Sequence, residues 1–283
     1  MSNFSHLTSR GSWALVTGAS KGIGKVFAEV LASRGVNVVL VARSKDALTA
    51  YAKNLSEKYG IRAVAIGADL ASPRAPVNIQ IKLALQNIEI DLLINNAGFG
   101  LSGSFLSHDL KQEQSQIQVN VQALIAMSHI FGRSMAARGR GGIINLASNS
   151  SFQPLPYMAG YAATKAFVLY FSEAIQHELA EKGVHVMASC PGPTATSFFE
   201  GTSTNMASRD FDSSLSVVEK TLESFDRGKS VAYPGRASVR VATWLSRFLP
   251  RSFVVQIAAL ATGKMGLHND RGLQTGRLQE NAL

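Results

Sequence analysis

The stretch "WALVTGASKGIG", residues 13–24, joins a short apolar run to three closely spaced glycines. Its first half has the composition of a buried strand, and a helical pattern begins at about residue 23. Gly18, Gly22 and Gly24 therefore lie where a strand turns into a helix. Such a turn can approach a pyrophosphate closely and direct helix N–H groups at its charge, because glycine lacks a Cβ. A glycine-rich turn without a ligand is the alternative, and the strand–turn–helix order favours the ligand.

The alternation of strand and helix continues along the chain. Further apolar runs end in turn residues and are nearly continuous, as expected for strands covered on both faces of a sheet. They lie at 37–43, 62–70, 91–98, 141–148, 184–192 and 229–235. Helical patterns lie at about 23–34, 45–59, 75–88, 112–137, 161–182 and 215–227. This order predicts an α/β fold with one doubly wound parallel sheet of about seven strands.

Composition narrows the class of protein. The chain has 283 residues, is 46% hydrophobic and has a single cysteine, Cys190, so no internal disulfide can form. Neither a secretory leader nor a run of about 20 apolar residues is evident, and a cytoplasmic location is the default expectation. The net charge is +9, but the basic residues are scattered, which disfavours nucleic acid as a partner. The histidines show no ligand spacing, so we expect no metal.

The glycine spacing T-G-x-x-x-G-x-G, together with later motifs, resembles the short-chain dehydrogenase/reductase superfamily over roughly residues 11–235. The resemblance implies a Rossmann-like sheet whose glycine loop holds a nicotinamide dinucleotide. We predict one catalytic domain over 11–235, with a cofactor half at about 11–110 and a catalytic half at about 111–235. The Ser- and Thr-rich segment 193–214 is then a substrate loop, and 236–283 forms a basic helix and a tail.

The resemblance also assigns cofactor contacts. Asp69, with Leu70 beside it, matches the family's adenine contact, and "NNAG" (95–98) matches the segment that flanks the adenosine. We predict Asn95 to be a buried amide that ties strands together. The cofactor residues implied are Gly18, Ser20, Lys21, Gly22, Ile23, Gly24, Arg43, Asp69, Leu70, Asn96, Ala97, Gly98, Tyr161, Lys165, Pro191, Gly192, Thr194 and Thr196. Of these, Thr196 is the expected contact to the nicotinamide carboxamide.

The second strand indicates which dinucleotide is bound. NAD-binding folds place a carboxylate at the end of this strand, on the ribose 2′-hydroxyl. Here the strand ends in Ala42 and Arg43, and Lys21 lies in the glycine loop. Two cations without an acid suit a 2′-phosphate, which needs charge-assisted partners. The sequence therefore predicts NADP(H).

A tyrosine and a lysine share one helical face in "YMAGYAATKAF", residues 157–167. Lys165 is four residues after Tyr161, whereas the residue four after Tyr157 is Tyr161 itself. An ammonium group beside a phenol lowers its pKa toward the useful range for proton transfer. By resemblance, Tyr161 donates the proton and Ser148 holds the substrate oxygen, with Ser150 and Ser151 as rivals. Lys165 lowers the tyrosine pKa and holds the ribose, and Asn120 positions a relay water.

The substrate is indicated only in outline. Phe152 and Phe198, with Ser148 and Tyr161, are the predicted substrate contacts, and Phe99, Leu155 and Phe199 are further candidates for an apolar pocket wall. We expect NADPH-dependent reduction of a bulky, hydrophobic or lipid-like ketone or aldehyde. The alternatives are a 3-oxoacyl-[acyl carrier protein] reductase and a non-catalytic NADPH-binding scaffold. Cys190 is expected to be a small buried residue.

The last expectations concern the C-terminal segment and the oligomeric state. Residues 236–251 predict a basic amphipathic helix that Pro250 ends, and such a helix can lie on an anionic membrane. We favour packing of this helix against the domain or another subunit over contact with a membrane. The family resemblance implies a homodimer or homotetramer through the helices at 112–137 and 161–182.

Overall fold

The computed structural model describes residues 4–196, 198, 204–246 and 248–267. Its centre is one seven-stranded sheet in the order β3-β2-β1-β4-β5-β6-β7, in which every neighbouring pair is parallel. The strands are β1 (Trp13–Thr17), β2 (Asn37–Ala42), β3 (Ala63–Gly67), β4 (Leu92–Asn95), β5 (Gly141–Leu146), β6 (Val184–Ser189) and β7 (Val231–Ala232). The predicted doubly wound α/β fold is confirmed.

Helices connect the strands and cover the sheet. They are α1 (Gly22–Ser33), α2 (Lys45–Tyr59), α3 (Ala75–Ala84), α4 (Leu110–Ile117), α5 (Leu124–Ala137), α6 (Ala159–Ala180), α7 (Ser214–Asp226), α8 (Ala237–Leu245) and α9 (Arg251–Lys264). A π-helical segment, Gln118–Ala123, joins α4 to α5. Short 3₁₀ turns lie at Ser5–Thr8, Phe105–Ser107, Asn149–Phe152 and Ser208–Asp210.

Strand β2 shows why the strands are continuously apolar. Val38 and Leu40 belong to a core with α1 and α7, whereas Val39 and Val41 belong to a second core on the other side of the sheet. Successive side chains of a strand point to opposite faces, so both sets are buried. Each fully buried side chain of this size contributes about 1.5–3 kcal/mol relative to exposure. This core holds the strand ends in fixed positions.

The strand order reverses beside β1, which lies between β2 and β4. In open α/β sheets, ligands bind in the crevice outside the carboxyl ends of the strands at such a switch point. Residues that follow β1, β2, β4, β5 and β6 therefore meet at one edge of the sheet. This edge is where the sequence places the glycine loop and the serine at position 148.

Element boundaries differ from the prediction in several places. The predicted strand at 229–235 contains only two paired residues, and the long helix at 112–137 is interrupted by the π segment. A second C-terminal helix, α9, was not predicted, and the expectation that Pro250 simply ends a helix is wrong: α8 ends at Leu245, and Pro250 is the N-cap of α9. Proline is tolerated at a helix start because the first N–H groups have no partner there.

Candidate active site

The glycine loop forms a tight cradle between β1 and α1. Gly18 and Gly22 have φ angles of 68° and 57°, in the left-handed region that glycine adopts without strain. A Cβ on Gly24 would lie 2.4 Å from the carbonyl oxygen of Gly18, so the loop folds back onto itself. Helix α1 begins at Gly22, and its first N–H groups open toward the loop. A backbone cradle at a helix N-terminus fits a pyrophosphate.

Thr17, which sequence reasoning did not single out, ties this loop to the end of β4. Its Oγ1 accepts hydrogen bonds from the N–H groups of Asn96 and Ala97, each at 3.0 Å. The Asn96 Nδ2 group donates in turn to the Thr17 carbonyl at 2.8 Å. The threonine that opens the glycine motif was the available signal, because its hydroxyl stands at the end of a buried strand.

Asn95 has the structural role that was predicted for it. Its Nδ2 donates to Ser128 Oγ at 3.0 Å and to Asn145 Oδ1 at 2.9 Å, and the Asn145 amide continues to Ser172 Oγ. All four side chains are buried. The chain of amides joins β4 and β5 to α5 and α6, which fixes the helices under the site.

The residues predicted to surround the adenosine lie on adjacent strand ends. Arg43 follows the last residue of β2, and Lys21 and Ser20 precede α1; all three are exposed. Within the described part of the chain, no carboxylate lies within ion-pairing distance of Lys21 or Arg43. Asp69 is exposed beyond β3, where its Oδ1 accepts from the N–H of Ala71, and its neighbour Leu70 is buried. The arrangement leaves two cations for a 2′-phosphate.

The segment after β6 closes over the glycine loop. Thr194 is buried and donates to the carbonyl of Gly192, and its backbone pairs with Asp212. The Thr196 methyl group would lie 3.3 Å from a Cβ on Gly22. Thr196, predicted to contact the nicotinamide carboxamide, therefore lies against the loop that fits the phosphates. The Pro191 carbonyl accepts from the N–H of Asn149, which connects this segment to the reacting end.

Tyr161, Ser148 and Lys165 converge at the reacting end. The Ser148 hydroxyl donates to Asn149 Oδ1 at 3.2 Å and lies near enough to the Tyr161 phenol to lower its pKa. The Lys165 Nζ lies 5.8 Å from the centre of the Tyr161 ring and donates to the Leu146 carbonyl at 2.6 Å. Lys165 and Ser148 are buried, so the three groups sit in a medium that strengthens their mutual electrostatics.

The pKa of Tyr161 differs from the sequence-based expectation. Burial raises this pKa to about 12, and the nearby Ser148 hydroxyl offsets only part of that rise. Burial also lowers the pKa of Lys165 to about 8. The Lys165 Nζ lies 5.8 Å from the centre of the ring and donates to the Leu146 carbonyl, so its role in lowering the tyrosine pKa stays a prediction. Tyr161 is a protonated phenol at neutral pH.

Asn120 lies in the π-helical segment, a feature frequent at functional sites. Its Oδ1 accepts from the Phe99 N–H at 3.1 Å, and its Nδ2 donates to the Phe99 carbonyl and to Thr164 Oγ1. Thr164, missed by sequence reasoning, donates to the carbonyl of Tyr161 at 2.7 Å and so connects Asn120 to the tyrosine. A methyl on Gly98 would lie 3.0 Å from Asn120 Oδ1 and 3.5 Å from Lys165 Nζ, so both atoms border one space.

The three neighbouring serines have separate roles in the structure. Ser148 caps the 3₁₀ turn at Asn149–Phe152, and its Oγ accepts from the Ser150 N–H. Ser151 donates its hydroxyl to the carbonyl of Lys165 at 2.7 Å, which ties the turn to α6. The Ser150 hydroxyl is buried without a hydrogen-bond partner in the described part of the chain. Of the three, Ser148 is the serine whose hydroxyl lowers the pKa of Tyr161.

The two phenylalanines that were predicted to contact the substrate lie in different surroundings. The Phe198 ring lies 5.2 Å from the Tyr161 ring, centre to centre, whereas the Phe152 ring stacks on Tyr233 at 5.6 Å. A Cβ on Gly100 would lie 2.9 Å from both Tyr161 and Phe198, so glycine is required for this packing. Tyr157 is 39% exposed, as expected for a surface residue. Phe199 lies outside the described residues.

An open cavity of about 400 Å³ adjoins Ser148 through Asn149, whose Oδ1 accepts from the Ser148 hydroxyl. It is lined by Asn149, Pro193, Asn205, Met206, Asp210, Arg236, Lys264 and Met265. That Arg236 and Lys264 come together here could not be predicted from the sequence, because they lie on different elements. Arg236 is paired with Asp212, and Asp210 also lines the cavity, so Lys264 is the cation of this lining that has no carboxylate partner among the described residues.

Two further observations concern ligand-binding residues. Across the described residues, no three His, Cys, Asp or Glu side chains cluster as a metal site requires. Cys190 is buried as predicted, and burial raises the pKa of its thiol to about 12, so it is an unreactive thiol at neutral pH.

Comparison with known proteins shows which family and which relatives this chain is similar to. The sequence model of the family described as "short chain dehydrogenase" matches residues 12–207. The human "Inactive hydroxysteroid dehydrogenase-like protein 1" is 36% identical over 189 residues, which are 66% of this chain and 57% of that protein. The human "Very-long-chain 3-oxoacyl-CoA reductase" is 36% identical over 193 residues, 66% of this chain and 60% of that protein. The chain thus matches less than two thirds of the length of these relatives.

A solved structure extends the likeness to the fold. The short-chain dehydrogenase from Sphingobium yanoikuyae, in complex with NADPH, is 33% identical, with a TM-score of 0.76. The superposition covers 84% of this chain and 93% of that one.

Proposed function

The chain belongs to the short-chain dehydrogenase family, and we propose that it is an NADPH-dependent reductase of a bulky, hydrophobic ketone or aldehyde. The observation that carries the proposal is the juxtaposition of Ser148, Tyr161 and Lys165 at the same sheet edge as the glycine cradle. Oxidoreductase chemistry is the activity of this family, and the substrate and direction are our inference.

The roles of the side chains follow from their geometry. Ser148 Oγ donates a hydrogen bond to the substrate carbonyl oxygen and fixes it beside the Tyr161 phenol. NADPH, when bound, supplies the hydride to the carbonyl carbon. Tyr161 gives its proton to the oxygen as negative charge develops there, and its raised pKa keeps that proton available at neutral pH. Lys165 stabilises the phenolate that Tyr161 becomes, and its own pKa of about 8 leaves it mainly cationic at pH 7.

Proton return to Tyr161 requires a connection to solvent. Asn120 Oδ1 and Lys165 Nζ border the space above Gly98, and we assign this space to a water molecule that passes protons to Lys165. The Thr164 hydroxyl holds the Asn120 amide and the Tyr161 backbone together, so the relay and the proton donor keep one geometry. Thr164 is a positioning residue in this scheme.

NADPH in preference to NADH is supported by Arg43 and Lys21. Both are exposed at the ribose end of the crevice without a carboxylate partner among the described residues. A 2′-phosphate would gain charge-assisted hydrogen bonds from them. The NADPH complex of the structural relative agrees with this choice.

A 3-oxoacyl thioester is the second candidate substrate. Lys264 at the cavity edge would suit the anionic end of a carrier-bound acyl group, and the human 3-oxoacyl-CoA reductase is among the relatives. Phe198 over Tyr161 favours an apolar chain next to the carbonyl in either case. A non-catalytic NADPH-binding scaffold is the third candidate function. The similarity to the human relative whose name calls it inactive supports this candidate, and the proximity of Ser148 to Tyr161 argues against it.

The assembly is also a proposal. Exposed apolar side chains lie on α4, α5 and α6, among them Ile117, Ile125, Phe167 and Tyr170, of which Tyr170 is 66% exposed. Apolar faces on neighbouring helices favour association with another copy. We propose a homodimer or homotetramer through these helices.

The test compares Tyr161→Phe with its matched control Tyr157→Phe. NADPH consumption is followed with bulky ketones, steroids and 3-oxoacyl thioesters, and NADPH binding is measured separately. We expect Tyr161→Phe to lower kcat by about 10³-fold with unchanged NADPH affinity, because the proton donor is lost and the cradle is intact. Tyr157→Phe keeps full activity. NADPH binding without turnover on any substrate would favour the scaffold, and equal turnover in both variants would exclude Tyr161 as the donor.

A further inference from the structure

Most of the net positive charge of the chain comes from its C-terminal part, because acidic residues are absent there. Residues 227–269 contain seven Lys and Arg residues and not one Asp or Glu, in a chain whose net charge is +9. Arg251 begins α9, Lys264 ends it, and both side chains are exposed. Arg240 on α8 lies over the ring of Tyr233 at 5.2 Å. Arg227 and Arg236 pair with Glu223 and Asp212, whereas Arg240, Arg251 and Lys264 have no carboxylate partner among the described residues and can attract anions.

Helix α9 also exposes an apolar face. Phe253, Ile257 and Leu260 are 51%, 45% and 68% exposed, at a spacing that puts them on one side of the helix. Val254 and Ala258, one position further along, are buried against the domain. The helix therefore meets the protein with one face and presents a second apolar face to its surroundings.

Helix α8 and the residues that follow it also expose apolar side chains. Val241, Trp244 and Phe248 are 59%, 58% and 70% exposed, and the Trp244 and Phe248 rings lie 5.4 Å apart. Trp is enriched where proteins meet the polar region of a bilayer, because its ring is apolar and its N–H is polar. Exposed apolar groups of this size mark an interaction surface.

We propose that the α8–α9 segment docks on the surface of an anionic lipid bilayer. Apolar side chains flanked by cations that have no carboxylate partner are the combination that binds such a surface. Helix α9 has 14 residues, fewer than the roughly 20 that a spanning helix needs, and no helix in the described part of the chain is long and apolar enough to cross. The helices would therefore lie in the interface, with their aromatic and aliphatic side chains inserted.

The docking segment is connected to the candidate active site. The Ser246 hydroxyl, directly after α8, donates to the carbonyl of Phe152 at 3.2 Å, in the turn that Ser148 caps. Lys264 and Met265, at the end of α9, line the cavity beside Ser148. Docking would bring the cavity close to the bilayer, so that an amphipathic carbonyl compound could enter from it. This last step rests on the proposed reductase function, and the docking itself does not.

Vesicle binding tests the proposal without any measurement of turnover. The full chain is sedimented with phosphatidylcholine vesicles that contain either no phosphatidylserine or about one third of it. The chain has two tryptophans, so a Trp13→Phe background leaves Trp244 as the fluorescent probe. We expect binding to the anionic vesicles only, a blue shift of Trp244 emission as the ring leaves water, and release when the ionic strength is raised about tenfold.

Substitutions separate the contribution of the charges to vesicle binding from the contribution of the apolar side chains. Arg251→Glu should weaken vesicle binding by about tenfold or more, since each cation near an anionic surface is worth about fivefold. An acid at the first turn of α9 suits the helix dipole, so the fold is retained. Leu260→Ser should weaken binding by about tenfold through lost insertion. Leu106→Ser, at a 90% exposed apolar residue outside the segment, is the control and should bind like the parent chain.

Absence of binding to anionic vesicles would overturn the proposal, and so would binding that Arg251→Glu and Leu260→Ser leave unchanged. If instead Leu260→Ser lowered the mass of the particle in solution while vesicles bound nothing, the surface would be a contact between copies of this chain, and lipid docking would be wrong. A chain that docks but reduces no substrate would leave the inference standing and contradict the proposed function alone.

Discussion

The phosphate end and the reacting end of the crevice are built on different principles. At the phosphate end, the groups proposed to meet a ligand are backbone N–H groups in one continuous turn, residues 17–24, shaped by glycines at positive φ or against other atoms. At the reacting end, they are side chains from separate elements, namely Asn120, Ser148, Tyr161 and Lys165. The first depends on local sterics, whereas the second depends on burial and hydrogen bonding across the fold. Variants at the two ends should therefore fail in different ways.

The largest expected effect in this comparison is Gly100→Ala at the reacting end. The added methyl would lie 2.9 Å from Tyr161 and from Phe198 and would displace one ring. We expect kcat to fall by about 10²-fold with little change in NADPH affinity, because a small displacement of a reacting group has this cost. Steady-state kinetics and NADPH titration measure the two separately. A loss of NADPH affinity with unchanged kcat would show that the two ends are not independent.

Gly24→Ala is the matching change at the phosphate end. Its methyl would lie 2.4 Å from the Gly18 carbonyl and would open the loop. We expect the Kd for NADPH to rise by about 30-fold, since overpacking of this kind costs about 2 kcal/mol. The control is Gly263→Ala, where a methyl meets open space. Equal NADPH affinity in the two variants would mean that this loop does not hold the cofactor.

Arg43→Ala tests which dinucleotide, NADPH or NADH, the phosphate end prefers. The substitution removes one partner of a 2′-phosphate, so we expect about tenfold weaker NADPH binding and unchanged NADH binding. Titration with both dinucleotides measures the difference, and Lys53→Ala, an exposed cation on α2, is the charge control. A parallel loss for both dinucleotides would place Arg43 away from the ribose.

A pH dependence is expected at the reacting end. Lys165 has a lowered pKa of about 8, so its charge is complete at pH 6 and is lost as the pH rises through 8. Tyr161, with a pKa raised to about 12, stays protonated over this range. The rate of ketone reduction should therefore be constant below pH 7 and fall by up to about tenfold per unit above pH 8. A rate that stays constant to pH 10 would show that the charge of Lys165 is not required.

Several features could be predicted from the sequence because they are local. The glycine loop, the strands and the Tyr161–Lys165 spacing are set by neighbours within a few residues, and continuous apolar runs such as β2 are typical of a doubly covered sheet. Asn95 was predicted as a structural amide for the same reason, since it ends a buried strand. Thr17 could have been found by the same argument.

Only the tertiary structure decided the rest. The pKa of Tyr161 depends on how much water the fold removes from the phenol, and a lysine four residues away does not reveal that. Gly100, Thr164 and the meeting of Arg236 with Lys264 depend on contacts between elements that are distant in sequence. Helix α9 could not be predicted from the sequence, because a proline is compatible both with the end of one helix and with the start of the next. The sequence by itself determined the fold class and the residues of the candidate site; packing determined their protonation and which surfaces remained exposed.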